Sequence, residues 1–79
     1  MKLRVLFFGA IADVIGERTL ELDVREGSTS RAAFEEILKA HPRLSSHKLL
    51  FSVNQEYASG REVVMEGDEL AIFTAVSGG

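Results

Sequence analysis

Only one stretch of this chain has the pattern of a long helix, and that limits the architecture more than any other feature, because one helix can cover one face of a sheet and no more. The hydroxyls of Ser28, Thr29 and Ser30 offer N-caps, the helix runs from there to about His41, and Pro42 ends it. Phe34, Ile37 and Leu38 recur at helical spacing and make one apolar stripe, with Arg31, Glu35, Glu36 and Lys39 mostly on the solvated side.

Around that helix the chain alternates with period two. Lys2 to Phe8 is rich in β-branched, Leu and aromatic residues and stops at Gly9, which reads as a strand with Leu3, Val5 and Phe7 on one face and Arg4, Leu6 and Phe8 on the other. Ala10 to Ile15 reads as a short helix with Gly16 in the capping position. Thr19 to Val24 alternates cleanly, placing Leu20, Leu22 and Val24 inward, and suits a hairpin partner of the first strand. Arg25-Glu26-Gly27 turns the chain into the helix. After Pro42, Ser45 to Lys48 reads as polar loop and Leu49 to Asn54 as a third strand with Leu49, Phe51 and Val53 inward. Ser59-Gly60 and Glu66-Gly67-Asp68 read as turns, Glu62 to Met65 as a short strand or irregular segment, and Glu69 to Phe73 as the last strand, with Leu70 and Ile72 on one face and Ala71 and Phe73 on the other. The order predicts an α+β domain over residues 1–75, followed by a tail over residues 76–79.

A single helix leaves the second face of the sheet uncovered, so that face should be polar. Phe8 and Phe73 nevertheless have the parity of the uncovered face. Two readings stand: a docking surface for another protein, or a loop folded over the two rings, with a one-residue slip in register reversing the assignment.

No self-contained active site can be assembled from the remaining residues. The chain has no cysteine, hence no disulfide, thiolate metal site or thiol nucleophile. Its 46% hydrophobic and 27% charged residues are those of an ordinary globular domain, and the net charge of −3 argues against nucleic acid or an anionic membrane as the main partner. No apolar run is long enough to cross a bilayer or resembles a secretory leader, so the expected location is the cytoplasm. His41 and His47 lack metal-ligand spacing and no metal or bound cofactor is expected. Glu35, Glu36, Glu56, Glu66, Asp68 and Glu69 fall on helix or turn surfaces and single out no acid/base pair. Gly60 and Gly67 stand alone in turns, and no serine has a nucleophile-elbow context.

What remains is the end of the chain, Val76-Ser77-Gly78-Gly79. A terminal Gly-Gly by itself also fits a frayed end or a cloning remnant. Its chemistry gives it another reading. Without Cβ atoms, Gly78 and Gly79 can thread a narrow channel, and the residues from Thr74 onward can reach about 20 Å at ~3.3–3.6 Å each. A carboxylate is a poor electrophile, so loading a group onto Gly79 needs activation, most simply as an acyl adenylate formed with ATP.

Val5-Leu6-Phe7-Phe8-Gly9-Ala10, Val53-Asn54-Gln55-Glu56-Tyr57, Gly67-Asp68-Glu69-Leu70-Ala71 and Val76-Ser77-Gly78-Gly79 together resemble the small, sulfur-carrier subunits of molybdopterin synthase (MoaD type) in the ubiquitin-like β-grasp superfamily. The resemblance spans essentially the whole chain. It implies a β-grasp fold with the first and last strands as central neighbours. It further implies that an E1-like adenylyltransferase consumes ATP to adenylate Gly79, that a sulfur donor such as a persulfide-bearing sulfurtransferase converts the adenylate to a thiocarboxylate, and that the tail enters the large synthase subunit, in a heterotetramer, to sulfurate cyclic pyranopterin monophosphate. In that scheme the chain is not an enzyme on its own, and its apolar partner contacts map onto Phe8, Tyr57 and Phe73. Members commonly carry prolines before the tail, where this chain has Thr74-Ala75 and a less stiff exit. Related β-grasp carriers serving thiamine, cysteine or tRNA sulfuration, and a plain interaction module with incidental glycines, are the alternatives.

Overall fold

The computed structural model describes residues 1–74. In chain order it contains β1 (Lys2–Phe7), α1 (Ala10–Ile15), β2 (Thr19–Asp23), α2 (Ser30–Ala40), a 3-10 helix (Pro42–Ser46), β3 (Leu49–Val53), β4 (Glu56–Tyr57) and β5 (Glu69–Thr74). The strands form one sheet in the order β2-β1-β5-β3-β4. β1 and β5 run parallel at its centre and the other neighbours are antiparallel. This is the β-grasp arrangement: an α+β fold with α2 packed across one face.

The strand parities follow the alternation in the sequence. Leu3, Val5 and Phe7 of β1 and Leu70 and Ile72 of β5 are buried on the helix side, where Ala33 and Ile37 of α2 meet them. Phe34 stacks on Phe51 with ring centroids 4.5 Å apart, so the helical stripe and the third strand interlock directly. α1 ends where Gly16 adopts φ 84 and donates its N–H to the Ala12 carbonyl, a left-handed cap that a residue with a Cβ adopts at a cost. Thr29 caps α2 by accepting the Ala32 N–H.

Two segments depart from the sequence reading, and a third, Glu62 to Met65, takes the irregular of its two readings. Pro42 does not lead into a plain loop. It starts the 3-10 helix, whose Leu44 is fully buried and fastens the connection between α2 and β3 to the core. The fourth strand lies at Glu56–Tyr57, paired with Val53 and Ser52 after a tight turn in which Asn54 and Gln55 both have positive φ. Such a turn suits the right-handed twist of a hairpin, but a strand so short leaves no periodicity to read. Glu62 to Met65 is not a strand. It makes only an isolated bridge, Val63 to Thr29, and buries Val64.

Side-chain capture explains that irregular segment. Glu62 accepts hydrogen bonds from the Ser59 N–H at 2.7 Å, the Ser30 hydroxyl at 2.7 Å, the Gly60 N–H at 3.0 Å and the Ser59 hydroxyl at 3.0 Å. The Ser59 N–H and then the Ser30 hydroxyl, by favouring the charged form, hold the Glu62 carboxyl down from its ordinary 4.5 to about 2. The loop over residues 59–62 is thereby clipped to the start of α2, where the Ser30 N–H also donates to the Glu62 carbonyl at 2.7 Å.

Candidate functional site

The uncovered face of the sheet carries the residues that the sequence singled out for partner contact. Its alternation is set by the pleat: Arg4 and Leu6 of β1, Glu69, Ala71 and Phe73 of β5, and Leu50 and Ser52 of β3 point away from α2. At the end where β5 finishes, this face is apolar. Phe8 follows the last residue of β1 and is 52% exposed, held in place by its N–H, which donates to the Ile72 carbonyl at 3.1 Å. Phe73 sits half-buried on β5, and Tyr57 on β4 is 79% exposed. At the other end the face turns polar, through Arg4, Glu69 and Glu21.

Phe73 and Tyr57 belong to strands separated by β3, yet their rings lie 5.9 Å apart, tilted by 59°. Ser52 makes this possible. It pairs with Tyr57 on one side and Ala71 on the other, and its small side chain leaves room for the tyrosine ring to lean across β3. Tyr57 and Phe73 thus make one apolar surface across β3, with exposed Phe8 just beyond the end of β1, the strand that neighbours β5. Leu50, opposite Phe73 on β3 and exposed, enlarges the patch. Sequence reasoning passed over Leu50, although its parity opposite to Leu49, Phe51 and Val53 carried the signal.

The polar residues of the family-like motifs occupy the opposite end of the sheet, where they are structural. Asn54 donates through Nδ2 to Asp68 Oδ1 at 3.0 Å and accepts the Glu69 N–H on Oδ1 at 2.9 Å. Asp68 also accepts the Met65 N–H at 2.8 Å and, through its carbonyl, the Arg4 N–H at 2.9 Å. The ends of β3 and β5 are thus tied to the start of β1. Asn suits the site because it tolerates the φ of 50 found there and supplies both a donor and an acceptor.

Of the candidate site residues, Phe8, Tyr57 and Phe73 share one surface, while Val76, Ser77, Gly78 and Gly79 lie outside the described residues. Neither histidine belongs to the patch; His41 is half-buried edge-on against Phe7, ring centroids 6.4 Å apart. Among the described residues no group of three or more His, Asp or Glu side chains converges in a metal-binding arrangement, and no helix is long and apolar enough to cross a membrane.

Comparison with known proteins places this geometry. The chain is 32% identical over its full length to a molybdopterin synthase sulfur carrier subunit of Chlamydomonas reinhardtii, which it also covers in full. It is 37% identical to small archaeal modifier protein 1 of Haloferax volcanii, the alignment covering 91% of this chain and 94% of the relative. The crystal structure of SAMP1 from Haloferax volcanii superposes with a TM-score of 0.88 at 32% identity, covering both chains completely. The model of the ThiS family matches residues 5–79, taking in the β-grasp domain, the apolar patch and the glycine tail together. The chain therefore belongs to the ThiS family.

Proposed function

We propose that this chain is the sulfur-carrier subunit of a molybdopterin synthase and that Gly79 is its reactive residue. The observation that carries the reading is the family match, which extends from residue 5 to the terminal Gly79. Curated relatives matched over the full length of this chain are named molybdopterin synthase sulfur carrier subunits. In the proposed cycle an E1-like adenylyltransferase joins the Gly79 carboxylate to the α-phosphate of ATP with loss of pyrophosphate. The persulfide of a sulfur donor then displaces AMP to form an acyl disulfide, and a thiol attacks the donor's sulfur, forming a new disulfide with the donor and releasing the thiocarboxylate. The tail over residues 76–79 delivers that sulfur to cyclic pyranopterin monophosphate inside the large subunit.

The chain supplies no catalytic side chain to these steps. It supplies the patch of Phe8, Tyr57 and Phe73, which we assign to partner docking. Burying an aromatic side chain is worth about 1.5–3 kcal/mol, a gain that offsets the entropy lost when the tail is ordered. ATP is consumed by the partner, so no cofactor need reside in this domain.

Co-expression with the adenylyltransferase and a sulfur donor tests the chemistry. Intact mass spectrometry should show one carboxylate oxygen replaced by sulfur, and deletion of Gly79 should abolish the shift. An unchanged mass under sulfur-replete conditions would remove the carrier reading. Reconstitution with the large subunit and precursor tests the pathway, and absence of molybdopterin would redirect the sulfur to another acceptor.

The likeness to small archaeal modifier protein 1 supports a second use of the same adenylate, capture by a lysine amine of a target protein. Its signature is a ladder of conjugates that disappears with the Gly79 deletion and resists thiol reagents.

A further inference from the structure

Taken in sequence, the cationic residues look scattered, and the chain as a whole is acidic, with 12 Asp and Glu against 9 Lys and Arg. Three of them nevertheless fall in a stretch free of acidic residues. From Ile37 to Gln55 there is no acidic residue, while Lys39, Arg43 and Lys48 all fall within this stretch. Lys39 lies in the last turn of α2, Arg43 in the 3-10 helix, and Lys48 directly precedes β3; all three are exposed. Buried Leu44 pins the segment to the core, so the three charges sit on a fixed corner and not on a free loop.

The corner occupies a particular place. Leu49, the residue after Lys48, pairs with Thr74, the last residue of β5. The next pair along, Leu50 with Phe73, belongs to the apolar patch. Lys48 therefore borders the point where β5 ends and, one residue pair further on, the patch, while Arg43 and Lys39 precede it on the 3-10 helix and the last turn of α2. Glu35 and Glu36 stand one turn before Lys39 on α2, but α1 brings no acidic side chain to Arg43: it turns Val14 and Ile15 toward His41, Pro42 and Arg43, while its Asp13, together with Glu17, borders a separate hollow with Arg18. Acidic residues gather instead at the opposite end, where Glu26, Glu62, Glu66, Asp68 and Glu69 lie in or beside the turns.

We infer that Lys39, Arg43 and Lys48 form an electrostatic guide that docks against an acidic rim on the activating enzyme, beside the channel that receives the tail. The inference rests on the carrier reading and adds to it the partner's charge. A carboxylate-ended tail must approach a site that holds ATP, so two negative groups meet. A cationic corner beside the tail's origin offsets that repulsion and orients the encounter, while the apolar patch supplies the residence time. Steering of this kind acts on the association rate and fades as salt shortens the range of the interaction.

The test is the association rate of the full chain with the ATP-loaded adenylyltransferase, measured by stopped flow at low and at high salt. Arg43→Glu combined with Lys48→Glu should slow association about tenfold at low ionic strength and hardly at all at high. Arg25→Glu combined with Arg61→Glu changes the net charge equally at the far end and should leave the rate near that of wild type. Arg43→Lys with Lys48→Arg should retain the fast rate. Equal slowing by the near and far reversals, slowing that persists in high salt, or no slowing would each overturn the guide. So would tighter binding of the wild type to a tRNA than to the enzyme. Wild-type protein that never acquires adenylate or sulfur marks failure of the carrier reading, whereas loading of wild type with salt-independent kinetics marks failure of the guide alone.

Discussion

Phe73 and Tyr57 touch across an intervening strand, their ring centroids 5.9 Å apart above Ser52. Because Tyr57 is 79% exposed, little of this contact serves the fold. Tyr57→Ala should therefore leave the melting temperature almost unchanged. Phe73→Ala should weaken binding to the large synthase subunit by about 10–100-fold, the range of a central aromatic anchor. Isothermal titration of each variant alongside its thermal melt separates the two effects, and wild-type affinity in Phe73→Ala would dismiss the docking role.

Glu62 makes stability depend on acid. Its folded-state carboxyl is held at about 2 against an ordinary 4.5, so between those values the unfolded chain binds more protons and stability rises with pH. The contribution is fully present above 4.5 and is lost as pH falls toward 2. Glu62→Gln should melt a few degrees below wild type at neutral pH, and the two melting curves should converge as the solution is acidified through that window. A gap of constant size across the window would rule out the carboxylate as its source.

Asn54 combines a positive φ with two side-chain hydrogen bonds, to Asp68 and from Glu69. Asn54→Ala forfeits both and places a Cβ-bearing residue without local compensation in the left-handed region, for a loss of about 1–3 kcal/mol by denaturant unfolding. Asn54→Gly forfeits the bonds but not the backbone freedom and should lose less. The ordering of the two variants is the check.

Leu44 anchors the 3-10 helix in the core with no exposed surface. Leu44→Ala should cost about 2–5 kcal/mol, a large share of what a domain this small possesses. Amide exchange in residues 42–48 should rise before that of β1 and β5, since the anchor is local and the central strands are not.

How much of this could be read beforehand varied with the length of the element. β1, β2, β3 and β5 each run far enough for alternation to fix their faces, and α1 announced its own end with Gly16. β4 escaped notice because Glu56 and Tyr57 define no period, though the Asn54-Gln55 turn before it was a usable sign. Val63 and Val64 suggested a strand, but Glu62 took the backbone N–H groups of Ser59 and Gly60 and fixed a loop in its place. Leu44 looked like one apolar residue in a polar connection; only the packing beneath α2 gives it weight. The patch of Phe8 and Phe73 was legible from parity alone, whereas the bridging of Tyr57 to Phe73 depended on the small size of Ser52, a matter of space that alternation does not encode.

The parallel pairing of β1 with β5 makes the sheet depend on both ends of the described residues. β1 precedes every other described element and β5 follows them all, so the centre of the sheet stays open until β5 is in place. A chain cut short of β5 loses the strand that joins β1 to β3 and falls into two unconnected hairpins, so the fold is finished only by its last strand.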